Sequence, residues 1–145
     1  MKTIILSTQH QWVEKIHLGI KTDEVRKTAP EETPFKALIY DTKSSGGCGK
    51  VVSEFICDKV DEIRGDYDGY SIIGESTAYT NRVADGSCLD FSDMQKYLTK
   101  GKGKAIHISD LKIYSEPKEL SEFKNLKGEP LKRPPESWQY VEEIK

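Results

Sequence analysis

The chain lacks what a membrane or secreted protein needs. No apolar run approaches the roughly 20 residues of a membrane-spanning helix. The N-terminal Met1-Lys2-Thr3-Ile4-Ile5-Leu6 has too short an apolar part for a signal peptide and no small-residue cleavage site. It reads as a first strand. Cysteine is scarce: Cys48, Cys57 and Cys88 are too few and too scattered for a disulfide framework. None forms a Cys-x-x-Cys pair or has a histidine at ligand spacing, so no metal and no cofactor is expected. Structural thiols in a reducing, cytoplasmic compartment are the expectation. One-signed charge is also missing. The formal net charge is −2 and the pI is near 6.0, which argues against a broad electrostatic grip on long duplex nucleic acid. A local basic pocket stays open, because field focusing depends on where charges sit. Internal repeats and low-complexity tracts are absent.

What is present suits one domain with a real core, residues 1–145, with 36% hydrophobic and 32% charged residues. Ser7 or Thr8 can cap a helix running to about Leu18, and Thr8 with Gln11 fits a capping box. Val13, Ile16 and Ile20 recur at helical spacing; Trp12 could stack a base, but it is expected in the core as the helix's apolar anchor. Gly19 closes the helix. A loop with Pro30 and Pro34 precedes a strand over 36–43, a glycine-rich connection over 44–49 and a returning strand over 50–59. Residues 61–88 carry no clear pattern. Within them Arg64-Gly65-Asp66-Tyr67-Asp68 reads as an exposed loop without a calcium-loop continuation, and Tyr67, Tyr70 and Tyr79 as loop-packing or cleft-lining aromatics. Ser92 is an N-cap candidate with Asp93 in the first turn, Met94, Tyr97 and Leu98 form a helical stripe, and Gly101 ends it. A long strand over 104–114, a short helix over 117–123 and a last strand at Trp138-Gln139-Tyr140-Val141 complete the reading. Strands outnumber helices and are separated by hairpin and loop signals. The fold class expected is α+β, a small mixed β-barrel with two or three flanking helices.

The segment Gly19-Ile20-Lys21-Thr22-Asp23-Glu24-Val25-Arg26 carries the chemistry. If Thr22 to Lys27 is a strand, its period of two puts Thr22, Glu24 and Arg26 on one face, with Lys21 at the strand's start. Such a cluster can grip a phosphate or a nucleobase. Arg26 offers a planar fork, and Lys21 a compact charge whose pKa falls when desolvated. Glu24 can accept from an exocyclic amine or pair with Arg26. Lys43 and Lys50 flank the hairpin; Lys43 is a further candidate for a backbone contact. On composition alone a solvated edge strand with a Glu-Arg pair is the favoured reading.

The helix with Trp12-Val13-Glu14-Lys15-Ile16, followed by Gly19, Lys21, Thr22, Glu24 and Arg26, resembles the opening of an ASCH domain. That is a branch of the PUA-like superfamily, whose mark is a Gly-x-Lys-Thr-x-Glu-x-Arg element. Residues 36–43, 49–55 and 104–111 resemble its barrel strands, and 131–138 its bacterial and prophage endings. The resemblance implies a PUA-like barrel, association with RNA, and a cleft beside the first helix lined by Lys21, Thr22, Glu24 and Arg26. It implies as partner an RNA, nucleotide or nucleoside, with no membrane. Some similar proteins are amidohydrolases of N4-acetylcytidine that use a lysine, a threonine three positions on and a later glutamate; others cleave single-stranded RNA. Lys21 matches the lysine. The position three on is Glu24, Thr22 lies close, and the later glutamate falls near Asp85-Gly86-Ser87-Cys88. Two classes follow: an RNA- or nucleotide-binding module, and a small hydrolase with Lys21, Thr22 and Glu24 as its catalytic set. A third is a protein-interaction module using Lys132-Arg133-Pro134-Pro135. Any RNA binding is expected to be short-range and to favour single strands.

Overall fold

Two runs of consecutive apolar residues, Ile4-Ile5-Leu6 and Ala37-Leu38-Ile39-Tyr40, organise the fold. They lie in β1 (Thr3–Thr8) and β3 (Phe35–Asp41), which pair in parallel with Ile4 opposite Ala37 and Leu6 opposite Ile39. A central parallel pair is covered on both faces, so its middle positions are apolar without alternation. Ile4, Leu6, Phe35, Ala37 and Ile39 face one core, and Ile5, Leu38 and Tyr40 face another. In a computed structural model, residues 1–65, 70–72 and 82–144 are described. The remaining elements are α1 (His10–His17), β2 (Asp23–Arg26), β4 (Val51–Cys57), β5 (Val60–Gly65), β6 (Tyr70–Ile72), α2 (Arg82–Ser87), α3 (Phe91–Tyr97), β7 (Lys102–His107), β8 (Ser109–Lys118) and β9 (Trp138–Val141). Short 3-10 turns occupy Lys43–Ser45 and Leu120–Glu122.

The strands form two sheets, ordered β8-β4-β3-β1-β9 and β2-β7-β5-β6. The class is α+β, as expected. The expected barrel is not closed: among the described residues no ladder joins the two sheets. They are joined instead by chains that change sheet at a corner. The stretch read as one strand over 50–59 leaves the first sheet at Cys57 and enters the second at Val60. The stretch read as one strand over 104–114 leaves the second sheet at His107 and enters the first at Ser109. A slip in the β4–β8 register between Glu54 and Ile56 and the left-handed φ of 49° at Asp110 absorb the bend.

Three apolar clusters follow. The first holds Val13 and Ile16 of α1 against Ile4, Leu6, Ile39, Phe55 and Ile106. The second packs Leu120, Phe123 and Leu131 on the far face of the first sheet. The third packs Met94 and Leu98 on Val25, Ile63 and Ala105 of the second sheet. Gly103 permits that last approach, since a Cβ there would stand 2.8 Å from Leu98.

Several local readings change. Thr8 ends β1, and α1 starts after Gln9 with no side-chain cap. The Ser45 hydroxyl accepts from the His10 backbone N–H at 2.9 Å instead. Asp90, not Ser92, caps α3, in a capping box with Asp93. Thr42 and Lys43 fall after β3. Pro117 ends in the edge strand β8, leaving only the turn at Leu120–Glu122 of the expected helix. The region over 61–88 contains β5, β6 and α2, none expected. Asp66, Tyr67, Asp68 and Tyr79 lie outside the described residues. Gly19 ends α1 at φ 76°, and β9 has the expected bounds.

Phe55, 1% exposed in the central cluster, is the sharpest test of this packing. Phe55→Ala is expected to lower the unfolding free energy by about 3–5 kcal/mol. Urea denaturation at unchanged m-value measures it.

Candidate functional site

Gly19 turns the chain out of α1 and delivers Lys21 to the gap between α1 and α2. β2 then runs along the edge of the second sheet, with Glu24 opposite Ile106 and Arg26 opposite Lys104. β2 is an edge strand, yet Glu24 and Arg26 are only 6% and 7% exposed, which excludes the solvated-edge reading. Their shared face looks into a cleft of about 900 Å³. Trp12 of α1 forms one wall, Lys96 and Tyr97 of α3 another, and Pro134 to Ser137 of the C-terminal tail a third.

Lys21 is 2% exposed. Its Nζ donates to the Ser87 carbonyl and lies 4.9 Å from the centre of the Trp12 ring, within cation–π range. Burial pushes its pKa below the ordinary 10.5, with the Glu24 carboxylate pulling the other way. The segment where the resemblance implies a glutamate, Asp85 to Cys88, does reach Lys21, but through a backbone carbonyl.

Arg26 is engaged on every side. Its Nη1 donates to the Ser137 carbonyl and hydroxyl, both at 3.1 Å. Its Nη2 donates to the Ser7 carbonyl at 2.8 Å and to the Thr8 hydroxyl at 3.4 Å. Its Nε faces Glu24 Oε1 at 3.6 Å. The fork expected to hold a phosphate or base edge instead fastens β2 to the end of β1 and to the tail. Ser7 completes the fastening: its N–H donates to the Ser137 carbonyl at 3.0 Å and its hydroxyl to the Pro135 carbonyl at 2.6 Å. Glu24 is left with Oε2 buried and without a hydrogen-bond partner.

The sequence matches no protein-family model, and no curated protein is significantly similar to it. Solved structures do match. The crystal structure of the ASCH protein from Zymomonas mobilis aligns with a TM-score of 0.70 at 16% identity, over 98% of this chain and 89% of that one. A tyrosine-to-phenylalanine form of it gives 0.68 at 17% identity over 99% and 92%. A serine-to-alanine form gives 0.69 at 17% over 98% and 89%. This chain has the ASCH fold.

Within this ASCH fold, Lys21, Glu24 and Arg26 meet at one cleft. Thr22 and Lys43 do not line it. Thr22 precedes β2, is exposed, and donates its hydroxyl to Asp23 at 3.0 Å. Lys43 is exposed in the 3-10 turn, while its neighbours Thr42, Ser44 and Ser45 reach the cleft. Lys50 pairs with Glu119 at 3.1 Å. Trp12, expected in the core, is half-buried on the cleft wall. Tyr97 lines the cleft too, its pKa raised by burial, though its helical spacing marked it as core. The Lys132-Arg133-Pro134-Pro135 tail lays its two prolines along the cleft.

One rim of the cleft is tied to α1 by His10. Its Nδ1 lies 3.0 Å from Asp41 Oδ1 and its Nε2 lies 2.9 Å from Glu14 Oε1. The Asp41 carboxylate raises the His10 pKa above 6.5. A folded-state pKa above the unfolded value means that the link stabilises fully below 6.5 and is lost as pH rises through the raised pKa. The Tm gap between wild type and His10→Gln is therefore expected to be widest below pH 6.5 and to close on the alkaline side.

Arg26→Ala strips oxygens on β1 and the tail of their donor and leaves Glu24 buried alone. A loss of about 3–5 kcal/mol is expected in chemical denaturation. Arg26→Lys is expected to recover only part of it, because a single ammonium cannot reach Ser7 and Ser137 together. A wild-type unfolding midpoint for Arg26→Ala would remove the fastening role.

Proposed function

We propose that this chain binds single-stranded RNA or a nucleoside by taking a base into the cleft beside α1. The observation that supports it is the half-buried Trp12 ring on the cleft wall beside the buried Lys21 and Glu24. The volume suits a small ligand, since such sites run roughly 300–1,000 Å³. An aromatic face stacks any base, and the low net charge favours a pocket over a long phosphate track. In this reading Arg26 shapes the pocket, and Lys21 and Glu24 meet the base edge.

A second reading is favoured by one observation, the burial of Lys21 with its lowered pKa. An amine so placed can take a proton from water or a hydroxyl, as hydrolysis of an acylated nucleoside or of single-stranded RNA requires. Against the threonine-based version of that chemistry stands the Thr22 hydroxyl, which is turned to Asp23.

Trp12→Ala is expected to weaken binding of short single-stranded RNA by about 1–3 kcal/mol in fluorescence anisotropy, with little change in salt dependence. Lys21→Ala decides between the readings. Turnover of acylated nucleosides or RNA lost with binding largely kept indicates the hydrolase, and binding lost with no turnover by the wild type indicates the module. Thermal melts accompany both variants. A salt slope implying many phosphate contacts on duplex DNA would overturn the base-pocket proposal.

A further inference from the structure

Among the residues that line the cleft, Glu24 holds a buried oxygen, Oε2, that is unsatisfied. The residue is 6% exposed, lines the cleft, and has its other oxygen committed toward Arg26 at 3.6 Å. Oε2 itself has no partner. A buried carboxylate oxygen is an acceptor only, and leaving it unmatched is expensive. Lys21, against the same cleft, has three N–H groups, of which the Ser87 carbonyl takes one. A ligand on the floor therefore meets Glu24 and Lys21 together, and it reaches the Glu24 oxygen, closed to water in the empty cleft, once the carboxylate turns toward it.

Resting on the binding reading above, we propose that Glu24 makes the cleft selective for amino-bearing bases over uracil. Cytosine and adenine carry an exocyclic amine next to a ring nitrogen that accepts. The amine donates to Oε2 and the ring nitrogen accepts from Lys21. Guanine offers two adjacent donors to the carboxylate and its carbonyl to the lysine. Uracil has one ring N–H flanked by carbonyls on both sides. Placing that N–H on Oε2 turns one carbonyl to Lys21 and the other against the remaining carboxylate oxygen, an acceptor facing an acceptor. A phosphate is refused on the floor by the Glu24 charge, so the base enters and the phosphate stays at the rim.

The test is calorimetric titration of the full chain with cytidine, adenosine, guanosine and uridine. Uridine is expected to bind at least about tenfold more weakly than the best of the other three. N4,N4-dimethylcytidine and N6,N6-dimethyladenosine, which lack the amine hydrogens, are expected to lose affinity against their parents. Inorganic phosphate is expected not to compete. Glu24→Gln supplies a donor as well as an acceptor at the same shape, and is expected to bring uridine to within a few-fold of the rest. Its melting curve is checked first; if it does not fold, the wild-type series decides alone. Uridine binding as tightly as the best of the others overturns the selectivity and leaves the binding reading standing. No binding of any nucleoside or of short single-stranded RNA overturns both.

Discussion

A buried guanidinium has to find an oxygen for each of its N–H groups, and the cleft is arranged around how Arg26 does so. Its partners come from three places far apart in sequence: Ser7 and Thr8 at the end of β1, Glu24 on its own strand, and Ser137 just before β9. The β1–β9 ladder ends beside Ser7 and Ser137, but among the described residues no ladder joins either of them to β2. Without the guanidinium, the Ser7 carbonyl and Glu24 would meet across a low-dielectric gap as unmatched oxygens. The charged cluster is thus first a joint between chain segments. The cleft is what that joint leaves open on its far side.

That placement separates the roles of residues that look alike in sequence. Arg26 and Glu24 are two positions apart and share a face, but the arginine is engaged by the protein on every side while Glu24 keeps one buried oxygen without a partner. Lys21 stands at the same floor by a different route. It is carried there by the turn at Gly19 and held by a carbonyl at the end of α2. The corner crossings at Asp58-Lys59 and at Ile108 matter for the same reason. They swing the second sheet so that its edge strand β2 faces the end of the first sheet, where Arg26 can reach Ser7.

Much of this was legible in residue order, and the failures have physical causes. The turn at Gly19, the polar face of 24 and 26, the body of the strand expected over 36–43 and the last strand at Trp138 follow from local rules of helix ends and strand period. The capping box at Thr8 failed because β1 claimed that residue for its ladder, and tertiary contact with Ser45 supplied the missing acceptor. The long strands over 50–59 and 104–114 failed because a strand that changes sheet keeps the same period of two on both sides of the corner. Trp12 and Tyr97 failed because an aromatic residue at helical spacing has the same signature whether it faces a core or a cleft wall. Arg26 as a fastening was invisible for a stronger reason: its partners lie up to 111 positions away.

The two functional readings differ in what they ask of Lys21, and its surroundings bear on both. The Ser87 carbonyl orients Nζ without fixing its charge, since an ammonium and a neutral amine both donate to it. Burial disfavours the ammonium, while Glu24 and the Trp12 ring favour it. A ligand that takes the Glu24 oxygen withdraws part of that support, because a carboxylate hydrogen-bonded to a base edge is a weaker partner for a nearby cation. The binding reading asks Lys21 to donate a hydrogen bond, and the hydrolase reading asks the same amine to take a proton. What separates them is whether the ligand brings a bond that such an amine can help water to break.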